Sequence, residues 1–455
     1  MTRLPATGTT GRILDHKDHQ PDHAARRREL AARIGTAGIA FVAATPARRR
    51  NNDVEYHYRA DSDFRYLTGF LEPQAIAVLA PGHDAGEYTL FCRERNPEME
   101  TWNGRRAGTD GAREHYGADA AFPIEDFAER LPRLLQGRQR LYLPMTAQPE
   151  FRQQLLQLLE DVPRQTRQGG GGNIPDEFVA LDGILHEWRL RKCPEELALM
   201  REAASTSARA HCAAMQAVRP GMMEYQLAAV LHYEFERDGM TWAYPSIVGG
   251  GDNACILHYT ENEAQLADGD LVLIDAGAEY RGYAGDITRT FPVNGRFSGP
   301  QRALYDIVLE ANRAGIDAAI AGAQTNAPHE AVKRVLAQGL VDLGLLTGSV
   351  DDILEQESYR RYFMHGTNHW LGMDVHDVGD YRIDGAWRPL EPGMTLTVEP
   401  GLYVPSDSEA DARFHGIGIR VEDNIVITDG APEITTTDVP KAPAEIEALM
   451  REARM

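Results

Sequence analysis

LVLIDAGAEYRGYAGDITRTF, residues 271–291, reads as a β-hairpin. An apolar run at 271–274 ends on Asp275, a turn falls near Tyr280–Gly282, and a second strand carries Asp286. If the turn centres on Tyr280–Arg281, positions 275 and 286 pair directly. Their Cβ atoms would then stand about 4.5–5.5 Å apart on one face. An ionised carboxylate among apolar strands costs several kcal/mol unless a cation lies beside it, and two such groups also repel each other. The alternative is that one aspartate caps a turn while the other faces solvent. The four apolar residues before Asp275 speak against it. A one-residue slip of register would weaken the pairing.

The same problem recurs further along the chain. Glu399 ends the strand-like LTVE at 396–399, just before Pro400 and Gly401. In IGIRVEDNIVI, residues 417–427, alternation puts Arg420 and Glu422 on one face and Ile419 and Val421 on the other. Glu422 paired with Arg420, or Glu399 as a simple turn residue, are the plainer readings. Between the two acidic regions lies HGTNHWLGMDVHDVG at 365–379, which holds His365, His369 and His376 among glycines that let the backbone approach a site closely. His258, in CILHYTENE, is a further candidate. Asp275, Asp286, His369, Glu399 and Glu422 together form a hard, oxygen-rich set. It suits Mn(II), with Co(II), Fe(II) or Zn(II) as substitutes, better than Cu(I) or a structural zinc. Four carboxylates balance two divalent ions, and two such ions about 3.5–4 Å apart can bridge and activate one water.

The rest of the chain frames this set. The 455 residues exceed one ordinary core and imply two domains or three. Alternating strand and helix patterns, from the helical 24–34 through IAVLA at 76–80, YTLFC at 88–92 and LYLP at 141–144, give an N-terminal α/β domain over 1–172. Residues 1–24 read as a flexible, His-rich lead, and the glycines at 169–172 read as a linker. The second domain, 173–455, shows helices followed by acid-bearing strands, twice. The net charge of −21, from 68 acidic and 47 basic residues, argues against a nucleic-acid partner and against an anionic membrane surface. Four scattered cysteines, with no CxxC, indicate neither a disulfide framework nor a thiolate zinc site. The N-terminus lacks an apolar core and no apolar run is long enough to span a bilayer, so the expected location is cytoplasmic.

The blocks VLIDAGAEYRGYAGDITRTFPVNG, HGTNHWLGMDVHDVG, EPGMTLTVEPGLY and GIRVEDNIV, in this order, resemble the pita-bread metallopeptidases, and among them the Xaa-Pro aminopeptidases (aminopeptidase P). EYHYRADSDFRYLTGFLEP at 55–73 and TWNGRRAG at 101–108 look like that family's N-terminal domain. The resemblance implies an α+β chain with a pita-bread catalytic domain. It also implies a dinuclear enzyme that removes the first residue from peptides with proline second, through a hydroxide bridging the metals. Asp275 would chelate one metal, Asp286 and Glu422 would bridge both, and His369 and Glu399 would bind the other. His258 and His376 would hydrogen-bond the substrate carbonyl and the oxyanion, and Glu399 would shuttle the proton to the leaving nitrogen. His365 would sit near the proline. Arg420 and Tyr244 would brace the carboxylates, and Tyr403 would lie beside them at the substrate. Trp102 would close the proline pocket of a neighbouring subunit, in a homodimer or homotetramer. Prolidase, an Xaa-Pro dipeptidase with the same five ligands, is the nearest alternative. A metal-free binding module is a second, disfavoured because all five ligands are present.

Overall fold

The computed structural model describes residues 21–169 and 174–454. Their packing divides into one unit over Asp22–Trp188 and a second beginning at Arg189.

The first unit is built on a six-stranded mixed sheet. Its order is Ala120–Pro123, Tyr88–Cys92, Ile76–Leu79, Gly38–Ala43, Arg140–Leu143, Glu177–Ala180. Every residue of Gly38–Ala43 is buried, as a central strand covered on both faces requires. Phe41, Phe91 and Phe127 meet edge to face in the core beside it. Two expectations change here. Glu177–Ala180 pairs parallel with Arg140–Leu143, so it is hydrogen-bonded into the first sheet as an edge strand. The division therefore falls at Trp188/Arg189, not at 172/173. Of the expected linker, Gly170–Gly172 lie outside the described residues, as does the lead through residue 20. The lead ends sooner than 24, because Asp22 caps the helix His23–Ile34 by accepting from Ala25 N at 2.8 Å.

The second unit holds the acidic strands. Helices Pro194–Ala217 and Glu224–Arg237 precede an antiparallel sheet of Ile247–Gly250, Leu271–Asp275 and Thr288–Pro292. Helices Gly299–Ala318 and Ala327–Asp342 then precede the pairs Thr395–Val398 with Asp423–Val426, and Gly401–Val404 with Ile417–Arg420. The doubling of helices and acid-bearing strands is thus present in space. IGIRVEDNIVI is not one strand. It breaks at Val421–Glu422 and passes from one partner strand to another. At the break, Glu422 N donates to Thr288 O at 3.0 Å, which ties the second acidic region to the first.

The hairpin register differs from the simplest expectation. Asp275 faces Thr288, not Asp286. The turn centres on Arg281–Gly282, with φ of +49° and +81°, and Tyr280 pairs with Tyr283. Two left-handed residues fit the tight turn whose twist matches the flanking strands. Moving the centre by one residue moves every partner by two, which preserves the face, so Asp286 is a diagonal neighbour of Asp275. The strands cross closely here, and a Cβ on Gly277 would collide with the backbone carbonyl oxygen of Gly285. Gly277→Ala is expected to destabilise the protein by about 3 kcal/mol, at the upper end of overpacking costs. Denaturant unfolding measures it, and a change under 1 kcal/mol would mean that the hairpin relaxes freely.

Candidate metal centre

Each acidic residue stands where a strand ends or breaks. Asp275 is the last residue of its strand, and Asp286 comes two residues before the next one begins. Asp286 is clamped at its backbone by Asn424. The Asn424 side chain accepts from Asp286 N at 2.9 Å and donates to Asp286 O. His369 and Glu399 are brought together by a backbone ladder: Thr397 N donates to His369 O at 3.0 Å, and Glu399 N to Thr367 O at 2.8 Å. Glu422 is fixed by Thr288, whose hydroxyl donates to Oε2 at 2.6 Å.

These residues converge on a cavity of about 640 Å³. His369 Nε2 lies 3.4 Å from Asp286 Oδ2 and 3.6 Å from Glu399 Oε1. Donor atoms of Asp286, His369 and Glu422 all lie within 4.8 Å of one another. The Tyr244 hydroxyl is 2.5 Å from Asp275 Oδ1 and also contacts Asp286 Oδ1. Arg420 reaches Asp275 Oδ2 at 2.5 Å, the Thr288 hydroxyl at 3.0 Å and the Tyr403 hydroxyl at 3.1 Å. Arg420 therefore pairs with Asp275 rather than with Glu422.

The electrostatics show what these groups demand. Burial, and then the surrounding carboxylates, push Glu422 well above its ordinary range. Burial and the neighbouring Asp275 raise Asp286. Burial likewise raises Glu399, against His369 and Arg420. Burial alone would lower His369, but its hydrogen bond to Asp286 and the charge of Glu399 raise it. Among the described residues Arg420 is the one Lys or Arg lining the cavity, and it is engaged three times over. Four carboxylates facing one guanidinium, with an imidazole turned toward them, fit the donor set of a pair of divalent cations. Without added positive charge they are costly to ionise together.

His258 and His376 line the same cavity. The His376 ring stands edge-on to His369 with centroids 4.3 Å apart, and burial lowers its pKa. His365 also lines the cavity. Its Nε2 is 2.8 Å from the Tyr403 hydroxyl, and burial holds its pKa down at about 3, so it is neutral. Tyr403, expected at the substrate, is not among the residues lining the cavity. It is fully buried behind the wall, and its hydroxyl reaches the cavity through His365 and Arg420. Trp102 lies in the first unit, in the helix Pro97–Asn103, with 80% of its surface exposed.

Sequence reasoning missed Thr288 and Asn424. Each lies two residues after an acid, Asp286 and Glu422, where period-2 alternation would place it on the same face. That pattern could have found them. It also missed His211, fully buried on the helix Pro194–Ala217, whose Nε2 lies 3.0 Å from the carbonyl oxygen next after Asp275, that of Ala276.

Comparison with known proteins gives a consistent result. Residues 198–429 match the model of metallopeptidase family M24, and residues 23–142 match the aminopeptidase P N-terminal domain. The Xaa-Pro aminopeptidase of Escherichia coli (strain K12) is 46% identical, covering 94% of this chain and 97% of that protein. Xaa-Pro aminopeptidase 3 of Homo sapiens is 33% identical, covering 95% and 86%. The structure of Pseudomonas aeruginosa aminopeptidase PepP superposes with a TM-score of 0.93 at 53% identity, covering 95% of this chain and 98% of that one.

Proposed function

The chain belongs to metallopeptidase family M24, with an aminopeptidase P N-terminal domain ahead of a pita-bread catalytic domain, and on that footing we propose how its residues divide the work. It is a metal-dependent peptidase that removes the first residue from peptides with proline second. The similarity runs through both domains of the Xaa-Pro aminopeptidases, which favours this activity over that of a dipeptidase.

The observation that supports the division of labour is the buried donor set facing one cavity. Asp275, Asp286, His369, Glu399 and Glu422 would hold two divalent ions, Mn(II) by the hardness of the donors. Bound there, the ions would supply an activated water and a Lewis acid for the carbonyl. Asp275, held by Tyr244 and Arg420, is aimed to accept from the peptide's free amine. His258 and His376 offer N–H groups to the carbonyl oxygen as charge develops on it. The leaving nitrogen belongs to proline and has no N–H, so it must gain a proton as the bond breaks. Glu399, facing the cavity beside His369, is placed to carry one. His365, neutral and oriented by Tyr403, would flank the pyrrolidine ring, and Trp102 would approach from a second copy in a homodimer or homotetramer. No helix of the described residues is long and apolar enough to cross a membrane. We place the enzyme in the cytoplasm, acting on peptides and not on nucleic acid.

The test is hydrolysis of Xaa-Pro dipeptides and of longer Xaa-Pro-Yaa peptides with Mn(II) added. Cleavage of the longer peptides is expected, and activity confined to dipeptides would restore the prolidase alternative. His376→Ala is expected to lower kcat about a hundredfold or more, the usual loss for one oxyanion donor, with the metal content of the purified protein unchanged. A matching loss of metal would make His376 a ligand instead.

A further inference from the structure

His258 reaches the cavity from a stretch with no hydrogen-bond ladder of its own. Residues 256–264 belong to no helix or strand, yet Leu257, His258 and Thr260 form part of the cavity wall. A group carried on such a segment keeps its place only through supporting hydrogen bonds. Four of them converge on Glu224, the first residue of the helix Glu224–Arg237, which is fully buried. Its Oε1 accepts from Gly250 N at 2.8 Å and from the Asn253 side chain at 3.0 Å, where the segment leaves the strand Ile247–Gly250. Its Oε2 accepts from the Tyr259 hydroxyl, next to His258, and from Ala264 N, both at 2.8 Å. Glu224 N in turn donates to Ala264 O at 2.9 Å. A buried carboxylate is costly unless it is hydrogen-bonded. Four donors, and a place in the first turn of a helix where the macrodipole favours negative charge, meet that cost.

We infer that Glu224 is a positioning residue for His258: one carboxylate holds both ends of the segment, and so fixes where the His258 ring meets the substrate carbonyl. The inference rests on the reading that His258 donates to that carbonyl. Glu224 is not among the residues lining the cavity, so it acts through the segment and not on the substrate. A donor to developing charge works only at a set distance, and a misplacement of about 1 Å can cost about a hundredfold in rate. Glu224→Gln keeps the size of the side chain but turns one of its two acceptor ends into a donor. Either Gly250 N or Ala264 N then faces an N–H group, and one end of the segment is released. Other ties, Asn262 to Val248 N at 2.9 Å and Asp252 to Ser406 N at 2.8 Å, keep the segment folded.

The test is a double-mutant cycle on kcat for an Xaa-Pro-Yaa peptide with Mn(II): wild type, Glu224→Gln, His258→Ala and the two together. His258→Ala is expected to lower kcat about a hundredfold, as loss of one oxyanion donor does. Glu224→Gln is expected to lower it about tenfold by displacing that donor, with KM and bound Mn(II) little changed. In the His258→Ala background the same substitution should cost almost nothing, because no ring is left to position. Tyr259→Phe removes one of the four donors and carries the cycle if Glu224→Gln does not fold. It should show a smaller loss, again only when His258 is present. An equal fold-loss in both backgrounds, or one accompanied by loss of Mn(II), would overturn the positioning role, since the carboxylate would then serve the fold or the metal set. Full kcat in both Glu224→Gln and Tyr259→Phe would overturn it too. Full activity of His258→Ala would instead overturn the parent reading of His258, and the positioning role with it.

Discussion

Asp286→Ala is expected to abolish peptidase activity. Asp286 lies 3.4 Å from His369, within reach of Glu422, and shares the Tyr244 hydroxyl with Asp275. A metal centre contributes several kcal/mol of transition-state stabilisation, and each 1.36 kcal/mol is a factor of ten. The expected loss in kcat/KM is therefore at least about a thousandfold, with a parallel loss of bound Mn(II) by elemental analysis. Stability should move the other way. In the metal-free protein, burial and neighbouring charge penalise Asp286 and Glu422, so removing one charge relieves repulsion. Asp286→Asn keeps the shape and the backbone clamp from Asn424, and its metal-free form is expected to melt no lower than the metal-free wild type. Added Mn(II) should raise the wild-type melting temperature but not that of the variant. A variant that retains full activity would refute the dinuclear assignment. A metal-free Asp286→Asn that melts well below the wild type would refute the repulsion.

Asp377→Ala should strongly destabilise the second unit. Asp377 follows His376, and its side chain is 1% exposed. It receives Lys192 Nζ at 2.9 Å and Arg189 Nη2 at 2.6 Å, side chains 1% and 3% exposed. Burial alone would raise its pKa, but Lys192 and Arg189 hold it below the ordinary range. Removing the carboxylate deprives Lys192 of its ion pair inside the protein, while Arg189 keeps Asp374 at 2.6 Å. Breaking a buried pair by deleting one partner costs about 3–5 kcal/mol, and that is the expected loss in denaturant unfolding. Lys192→Met added to Asp377→Ala should recover part of it, because the uncompensated charge goes with the lysine. No recovery in the double mutant would locate the loss in packing instead. The depressed pKa also sets the pH dependence. The contribution of Asp377 is complete above the unfolded carboxylate value near 4 and is lost as pH falls below it.

Much of this was legible in the chain. Acidic residues ending apolar runs pointed to the side chains that converge on the cavity, because the cost of burying charge is local and does not depend on the fold. The hairpin was read on the correct face but with the wrong partner. Alternation tells which side a residue occupies, whereas Arg281 and Gly282, both at positive φ, decide which residue it meets. The division between units was misplaced for a related reason. A run of glycines signals a pliable backbone, but where Glu177–Ala180 finds its hydrogen bonds is set by Arg140–Leu143, far away in sequence.

The sequence by itself determined which five charged or imidazole side chains face one cavity, which histidines accompany them, and which family's blocks they occupy. Only the tertiary structure decided the supporting cast. Tyr403 acts through His365 and Arg420 from behind the wall, Thr288 and Asn424 fix Glu422 and Asp286, and Arg420 serves Asp275 rather than Glu422. Burial of a charge is an energetic demand that one residue states alone. Which neighbour meets that demand depends on contacts across more than a hundred positions of chain, between Asp286 and Asn424 or between Asp275 and Arg420, and those exist only once the two halves have packed.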